Sequence, residues 1–372
     1  MLRSELNIGI AGAGDFASFA TKAFLKVPGI RIRAVADINR VAAEQLANEL
    51  DAKTFTDFEK FLAENKIDLV YIATPPFLHY QQSKAALLAG KHVICEKPAA
   101  LRSCEAEELA VLARSNQLLY TVDLMQRYNP MYGVMQTIIK ENIFGNFLHG
   151  YFENYASDEN LEQSHWFWDE SRSGGIFIEH GVHFFDMFSG WLDEGKVISA
   201  VQLQRPNVEK KIIDRVQAAV LYKGSVVNFY HGFDQPKLLD RQEMRLQFER
   251  GDVRLYGWIP VRMKMHGLLQ KKQLERLGEM IPDLSIAHHN GSWSANQKVR
   301  GRFTDISFDH HVTLEYGNIS EKQCRYQEML SAMILDQWKW IIDHKHIRVI
   351  DDSNALHSLK MAEEATSMAQ RF

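Results

Sequence analysis

The fold is decided by the stretch Leu6-Asn7-Ile8-Gly9-Ile10-Ala11-Gly12-Ala13-Gly14-Asp15-Phe16-Ala17, where an apolar run leads directly into closely spaced glycines. The apolar run predicts a buried β-strand, and the pattern that follows it predicts a helix. Gly12, Gly14 and Ala17 form the pattern G-x-G-x-x-A, which in this strand–turn–helix context is the fingerprint of a dinucleotide-binding turn. Gly12 allows the tight turn, Gly14 lets the backbone approach a pyrophosphate, and Ala17 keeps the helix close to the sheet.

The second predicted strand ends at an acidic residue that bears on the choice of cofactor. Ile30–Ala36 is followed by Asp37, about twenty residues beyond the glycines, where a carboxylate would accept hydrogen bonds from the adenine ribose and favour NAD. Alternatively, Asp37 caps the N-terminus of a helix that is predicted over residues 40–50. Arg40 keeps NADP open, because a cation at this position could bind a 2′-phosphate.

Alternating strands and helices continue through the first third of the chain. Further apolar strands are predicted at Asp68–Ala73, His92–Cys95 and Leu118–Val122, and such near-continuous apolar runs are typical of a parallel sheet covered on both faces. Residues 1–124 are therefore predicted to form one doubly wound Rossmann domain. Glu96-Lys97-Pro98 directly follows one of these strands, which places the lysine at the carboxyl end of the sheet, where open α/β sheets bind their ligands.

Residues 125–372 are predicted to form a second domain of helices and an antiparallel sheet. Apolar residues alternate with polar ones at period two in several runs between Ile198 and Leu255, and the runs are separated by Lys-Gly and Arg-Gly turns. An antiparallel sheet of this kind can pack one face on helices and leave the other available for association. The remaining predicted parts are an insertion over residues 258–320, in which residues 282–302 are expected to be a loop, and helices over residues 321–345 and 353–370.

A second group of candidate chemical residues lies between Gly174 and Asp186. The pattern from Ile178 onward predicts a helix, so Glu179 and His183 would lie on the same face, one turn apart. A histidine beside a carboxylate on such a face is a candidate for proton transfer. The alternative is that His183 is a core histidine whose ring nitrogens are bonded to neighbouring groups.

With these motifs the chain resembles the Gfo/Idh/MocA family, the group of glucose–fructose oxidoreductase and inositol dehydrogenase. The resemblance is carried by Gly12–Ala17, Ala34–Asp37, Ala73–Pro76, His79 and Ala89–Pro98. It implies an α/β protein, with an N-terminal Rossmann domain and a C-terminal α/β domain whose large, mostly antiparallel open sheet often mediates association. It also implies NAD(P)-dependent hydride transfer to or from a sugar, cyclitol or related alcohol or ketone.

The same resemblance implies which residues form the site. Lys97, His183 and Glu179 would be catalytic, with Lys97 and His183 handling the proton. Two positions depart from the family pattern, because Glu179 stands where the family usually has Asp, and Phe77 stands where it usually has Asn. The substrate residues are expected to be Arg127, Trp166 and His180; alternatively, Arg127 is a solvated arginine and Trp166 serves core or interface packing. For the cofactor NAD or NADP the expected residues are Gly12, Gly14, Asp15, Phe16, Ala17, Asp37, Arg40, Thr74, Pro75, His79, Glu96 and Lys97.

Composition limits the partners that we expect. The formal net charge of -4 gives no basic surface for nucleic acid, and no apolar run approaches the length of a membrane span. Three cysteines without C-x-x-C spacing are typical of a cytoplasmic protein with reduced thiols. We therefore expect a cytoplasmic protein with a small-molecule substrate, no nucleic-acid or membrane partner and, from the resemblance, a homodimer or homotetramer formed through the C-terminal sheet.

Two histidine pairs, His288-His289 and His310-His311, raise the question of a metal site. Adjacent histidines on a strand point to opposite faces, and on a helix they diverge by about 100°. No carboxylate or cysteine at a suitable spacing completes a site. We therefore expect no bound metal.

Two alternatives to a simple dehydrogenase stay open at this stage. In one, a tightly held NAD is recycled during the cleavage of a glycoside, as in some members of the family. In the other, the protein is a non-catalytic NAD(P)-binding regulator, which the loss of the usual Asp and Asn permits and the presence of Lys97 and His183 opposes. The substrate, the direction of the reaction and the size of the oligomer also stay open.

Overall fold

The structure is a computed structural model that describes residues 5–206, 208, 211–289, 297–301 and 304–372. The chain divides into two compact units that do not follow its order. The first unit comprises Met1–Tyr128, Glu162–Asp186 and Tyr326–Ser367, and the second comprises Asn129–Leu161, Met187–Arg325 and Met368–Phe372. The chain thus returns to the first unit twice after leaving it.

Helices and strands are distributed along the whole described chain. The helices are α1 (Asp15–Phe24), α2 (Arg40–Glu49), α3 (Phe58–Leu62), α4 (Pro76–Leu88), α5 (Ser103–Ser115), α6 (Pro130–Lys140), α7 (Glu170–Ser173), α8 (Val182–Leu192), α9 (Lys271–Met280), α10 (Lys322–Ile342) and α11 (Asp352–Met368). The strands are β1 (Leu6–Ala11), β2 (Ile30–Ala36), β3 (Lys53–Phe55), β4 (Leu69–Ile72), β5 (His92–Cys95), β6 (Tyr120–Val122), β7 (Phe147–Tyr155), β8 (Lys196–Gln204), β9 (Ile213–Tyr222), β10 (Ser225–Gly232), β11 (Arg241–Phe248), β12 (Gly251–Tyr256), β13 (Arg262–Leu269), β14 (Ser285–His288), β15 (Gln297–Arg300), β16 (Asp305–Phe308), β17 (His310–Gly317) and β18 (Gln370–Arg371). Short 3₁₀ turns cover Met125–Tyr128, Trp166–Trp168, Lys237–Leu239 and Ile319–Glu321, and one turn of π-helix covers Phe177–Gly181.

The first unit is organised by a six-stranded parallel sheet in the order β3-β2-β1-β4-β5-β6. All side chains of Leu69–Ile72 on β4 are fully buried. Because successive side chains on a strand point to opposite faces, this burial means that both faces of the sheet are covered. The strand order reverses between β1 and β4, which is the switch point at which doubly wound sheets bind ligands. The predicted Rossmann fold is confirmed.

Part of the C-terminal region packs within the first unit. The rings of Phe19 on α1 and Tyr326 on α10 lie 4.9 Å apart, and the Ser331 hydroxyl donates a hydrogen bond to the carbonyl oxygen of Ala23 at 2.8 Å. The sequence predicted both final helices but grouped them with the second domain. Helical periodicity identifies the apolar face of a helix and does not specify what that face packs against.

The second unit contains a ten-stranded sheet in the order β14-β17-β13-β12-β11-β7-β10-β9-β8-β18. Its pairs are antiparallel except β7 with β10 and β8 with β18, so the predicted large and mostly antiparallel sheet is confirmed. A separate two-stranded sheet joins β15 and β16. None of the helices in the described part of the chain combines the length and hydropathy that crossing a bilayer requires.

The segment interpreted as an insertion supplies strands to this sheet. β13 and β17 pair along their whole lengths, and β14 lies within the stretch that was expected to be a loop. On β13 the buried Met263 and Met265 alternate with the less buried Arg262, Lys264 and His266, which is a period-two signal that the sequence analysis missed. The rest of the predicted loop falls partly on residues 290–296, which lie outside the described residues.

Candidate active site

The turn between β1 and α1 contains two glycines, and the fold requires glycine at Gly12 but not at Gly14. Gly12 has φ +95, and a Cβ there would lie 2.5 Å from the carbonyl oxygen of Ala73, so the fold itself requires glycine. Gly14 has φ -76 and ψ 178, which any residue adopts, and a Cβ there would have no described heavy atom within 4 Å. Ala17 is fully buried under the sheet. Among the described residues the space beside Gly14 at the start of α1 is thus open, and the N–H groups of the first helical turn are the ones that would hold a pyrophosphate there.

Asp37 joins the end of β2 to this turn. Its Oδ2 accepts a hydrogen bond from the Ala13 N–H at 2.8 Å, and its Oδ1 accepts one from the Asn39 N–H at 2.7 Å. The cap of α2 is Asn39, whose side chain accepts hydrogen bonds from the first turn of the helix. The alternative that Asp37 caps this helix is therefore wrong. Arg40 forms an exposed ion pair with Glu44 at 2.7 Å.

His79 holds together two loops at the carboxyl end of the parallel sheet. Its Nδ1 lies 2.7 Å from the carbonyl oxygen of Pro98, and its Nε2 lies 2.6 Å from that of Thr74. Burial lowers the pKa of His79, and the two carbonyl oxygens oppose this shift. The predicted cofactor residues Thr74 and Pro75 belong to the loop after β4, and the cis peptide Lys97-Pro98 belongs to the loop after β5.

A buried acidic pair lies beside the predicted catalytic lysine. The Tyr71 hydroxyl donates a hydrogen bond to Oε1 of Glu96 and lies 3.4 Å from Oδ2 of Asp123. Burial raises the pKa of Asp123 to about 6, and burial together with the charge of Asp123 raises the pKa of Glu96. The side chain of Glu96 is thus bonded into the interior, and its expected contact with the cofactor stays a prediction. The sequence analysis did not find Tyr71 or Asp123, since neither belongs to a local motif.

Lys97 and Glu179 are in direct contact. The Lys97 ammonium donates a hydrogen bond to the Glu179 carboxylate and another to the Glu179 backbone carbonyl at 2.9 Å, and both side chains are mostly buried. Glu179 lies in the π-helical turn before α8 and not in the regular α-helix that was expected. Single π turns inside helices are frequent at functional sites.

His183 lies on the first turn of α8 and is buried. Burial and the neighbouring charge of Lys97 lower the pKa of His183 to about 3, so its imidazole is neutral at physiological pH. The structure therefore brings the three predicted catalytic residues into one neighbourhood, with Lys97 bonded to Glu179 and close enough to His183 to shift its pKa.

The other predicted residues have different surroundings. Arg127 forms a two-pronged ion pair with Asp186, in which Nε and Nη2 each lie 2.8 Å from a carboxylate oxygen, and burial raises the pKa of Asp186 while Arg127 opposes the shift. Arg127 thus anchors α8, and its contact with a substrate stays a prediction.

His180 packs its ring against Phe184 at 5.3 Å. Trp166 is half-buried, and Asp15 is exposed. The ring of Phe16 lies 6.0 Å from that of Tyr326. The Arg172 guanidinium covers the ring of Phe77 at 4.4 Å.

Comparison with known proteins identifies the family to which the two domains belong. A family model described as "Oxidoreductase family, NAD-binding Rossmann fold" matches residues 6–124, and the "GFO/IDH/MocA C-terminal domain" matches residues 133–254. A glycosyl hydrolase family 109 protein of Streptomyces niveus is 29% identical in an alignment 223 positions long that covers 54% of this chain and 44% of the relative. A levoglucosan dehydrogenase of Pseudarthrobacter phenanthrenivorans is 28% identical in an alignment 210 positions long that covers 53% of this chain and 54% of the relative. The matched part of the chain thus spans about half the length of these relatives.

Among solved structures, the fold is similar to that of KijD10, a 3-ketoreductase from Actinomadura kijaniata in complex with NADP and TDP-benzene. The two chains superpose with a TM-score of 0.75 at 16% identity, over 99% of each chain. This similarity supports the fold over the full length, including the part beyond the C-terminal family match. With both family domains matched in their usual order, the protein belongs to the GFO/IDH/MocA family of oxidoreductases, and its N-terminal region is an NAD-binding Rossmann domain.

Proposed function

We propose that the protein is an NAD(P)-dependent dehydrogenase or reductase that acts on a hydroxyl-bearing or carbonyl carbon of a sugar, cyclitol or related alcohol. The observation that carries this proposal is the pairing of Lys97 with Glu179 beside a neutral His183, at the carboxyl end of the sheet that carries the dinucleotide turn. The similarity to a levoglucosan dehydrogenase supports the sugar-like substrate.

Lys97 would hold the reacting oxygen. An ammonium group has three N–H donors, and in the described part of the chain two of them go to the carboxylate and the carbonyl of Glu179. The third is available for a substrate hydroxyl or carbonyl oxygen. Glu179 would thus orient the ammonium, and the positive charge of Lys97 would stabilise the negative charge that develops on the oxygen.

The bound cofactor would supply the carbon that accepts or donates the hydride. The protein must move one proton on the substrate oxygen, and Lys97 and His183 are the groups that we assign to this task. Because His183 is neutral, it can accept a hydrogen bond or a proton from the substrate. When an alcohol is oxidised, His183 would accept the hydroxyl proton and, because its pKa is low, release it to water, while Lys97 holds the substrate oxygen.

We further propose that the protein prefers NAD. A carboxylate has about four lone-pair positions, and the two described bonds of Asp37, to Ala13 and Asn39, leave room for both ribose hydroxyls. The negative charge of Asp37 would repel a 2′-phosphate. Arg40, the residue that could attract that phosphate, is paired with Glu44.

The test is the variant Lys97→Met, assayed with NAD and a panel of sugars and cyclitols. We expect turnover to fall about 10²–10⁴-fold, the usual contribution of a positioned proton-transfer group, while NADH binding measured by fluorescence stays within about twofold. Lys60→Met, which changes an exposed lysine of the same unit, is the matched control and should leave both unchanged. Normal turnover of Lys97→Met would refute the assignment.

A second candidate function has support in the similarity to a glycosyl hydrolase family 109 protein. In this case NAD would stay bound and would be reduced and reoxidised within one turnover while a glycoside is cleaved. Cleavage of a chromogenic glycoside without added NAD, by protein whose denatured extract contains NAD, would favour this candidate. A requirement for added NAD would favour the dehydrogenase.

We propose a homodimer or homotetramer, associated through the open face of the ten-stranded sheet. On β13 this face carries Arg262, Lys264 and His266, while the methionines between them are buried. Light scattering coupled to size-exclusion chromatography would measure the mass directly. A monomer at working concentration would contradict the proposal.

A further inference from the structure

Three histidines of the second unit come together from three neighbouring strands. His266 belongs to β13, His311 belongs to β17, and His289 directly follows β14. One ring nitrogen of each lies within 4.8 Å of the others, and Nε2 of His266 lies 2.8 Å from Nε2 of His311. The rings of His289 and His311 stack with their centroids 4.3 Å apart. These side chains therefore converge on one point of the sheet surface.

The strand register explains why the three share a face. His266 lies opposite Thr313, and Thr313 is two residues from His311. The side chains of His266, Thr313 and His311 therefore point to the same side of the sheet. The His289 N–H donates a hydrogen bond to the carbonyl oxygen of His311 at 3.0 Å, which places His289 beside it. Nε2 of His289 lies 2.8 Å from the Thr313 hydroxyl, which fixes the orientation of the ring.

We propose that His266, His289 and His311 bind one divalent transition-metal ion of the zinc type, with a fourth position open to water. Zinc–nitrogen bonds of about 2.0–2.1 Å in a tetrahedral site place the ligand nitrogens about 3.3 Å apart. One nitrogen pair, between His266 and His311, is 2.8 Å apart, and one ring nitrogen of each histidine lies within 4.8 Å of the others. Small rotations of the rings would therefore reach the required geometry. In the single chain the side chain of His266 is 47% exposed, so an ion and its water can enter before the chains associate through this face.

The surroundings favour ligation. Behind His266 lies Asp252, whose Oδ2 is 3.9 Å from Nδ1 of the ring. Arg245 and Arg254 hold this carboxylate at 3.0 and 3.2 Å. A carboxylate behind a histidine ligand commonly fixes the ring and increases its basicity.

The ion would fasten an edge of the sheet. β14 is a four-residue strand at the end of the ten-stranded sheet, and all its residues are exposed. A metal shared by His266, His289 and His311 would tie its end to the next two strands. This inference concerns a site other than the proposed catalytic residues and does not depend on the proposed reaction.

The experiment uses the full-length protein stripped with chelator and then titrated with ZnCl₂ by calorimetry and with CoCl₂ by visible absorption. We expect one ion per chain and the absorption of tetrahedral cobalt. His266→Gln and His311→Gln should each weaken zinc binding at least about tenfold, since each removes one of three ligands. The double variant His288→Gln/His310→Gln is the matched control, because these adjacent residues point to the opposite side of the same strands, and it should bind zinc as the wild type does.

Two further measurements keep the test decisive if a variant folds poorly. Zinc should raise the thermal midpoint of the wild-type protein and should slow the modification of His266 by diethylpyrocarbonate at least about tenfold, as read by peptide mass spectrometry. The proposal would be overturned by less than half an equivalent of bound zinc in the wild type, by equal zinc affinity in His266→Gln and wild type, or by an unchanged modification rate.

Discussion

Replacing Gly14 by alanine should weaken cofactor binding and leave the fold intact. The backbone at Gly14 is extended, and a β-carbon there would meet no described heavy atom within 4 Å. Restricting the unfolded chain with alanine at such a position stabilises a protein by about 0.4–1 kcal/mol. Alanine is a poorer N-cap than glycine by a similar amount. The two effects offset each other, so the free energy of unfolding should change by less than about 1 kcal/mol.

The same methyl group would stand where a pyrophosphate has to approach the backbone. Losing one hydrogen bond to a charged phosphate group costs about 1.5–3 kcal/mol, which corresponds to a dissociation constant about 10–150-fold higher. The assay is a titration of NADH followed by fluorescence, with urea unfolding of the same sample as the measure of stability. NADH affinity within about twofold of the wild type would refute the placement of the pyrophosphate before Gly14.

Gly12→Ala is the contrasting variant, because its β-carbon would meet the carbonyl oxygen of Ala73 at 2.5 Å and its φ of +95 is strained for alanine. Strain of this kind costs about 1–3 kcal/mol before the clash is counted. Gly12→Ala should therefore lose stability first and affinity as a consequence. If both variants lost stability equally, the open space before Gly14 would not exist as described.

Three other perturbations test the remaining parts of the site. Asp37→Ser should shift the cofactor preference toward NADPH at least about tenfold, measured as the ratio of the two dissociation constants, and an unchanged ratio would remove Asp37 from ribose recognition. His183 has a folded-state pKa of about 3, below its ordinary value of 6.5, so the unfolded state binds the proton more readily and stability falls as pH drops from about 6.5 toward 3. Urea unfolding between pH 4 and 7 should show this fall flattened in His183→Asn, and equal slopes would mean that another group is responsible. Arg127→Met leaves the buried Asp186 carboxylate without its ion-pair partner and should lower the free energy of unfolding, measured with urea, by about 3–5 kcal/mol. The double variant Arg127→Met/Asp186→Leu should regain most of this loss. A loss below about 1 kcal/mol in the single variant would mean that Asp186 is neutral in the folded protein.

Local patterns were enough to predict the Rossmann fold. The glycine turn, the apolar strands and the loop with Lys97 all follow from residues that are close in sequence, since a strand, a turn and a helix are each specified by neighbours. The contact between Lys97 and Glu179 joins residues far apart in the chain. Local patterns singled out both members and the family resemblance gave them catalytic roles, but their direct contact was not predicted.

Long-range polar contacts were the part that local patterns did not reveal. Tyr71 bonds Glu96 and approaches Asp123, although the three residues lie on different elements. The convergence of His266 with His289 and His311 depends on the pairing of β13 with β17 and of β17 with β14. A search for metal ligands by spacing along the chain cannot find such a set. The ligands come together because of the register of the strands, and their separation in sequence carries no signal.

Glu179 is the departure from the family pattern that bears most directly on whether the site is functional. A shorter Asp would move the carboxylate by more than an ångström from this backbone position, and the glutamate still reaches the Lys97 ammonium. The π-helical turn also presents the Glu179 carbonyl to the same ammonium. Within the described part of the chain, Glu179 thus occupies two of the three N–H donors of Lys97, and the third is available to a ligand. With a neutral histidine beside it, the Lys97 ammonium keeps one N–H group with which to bind a substrate oxygen. This arrangement favours an enzyme over a regulator that has lost its activity.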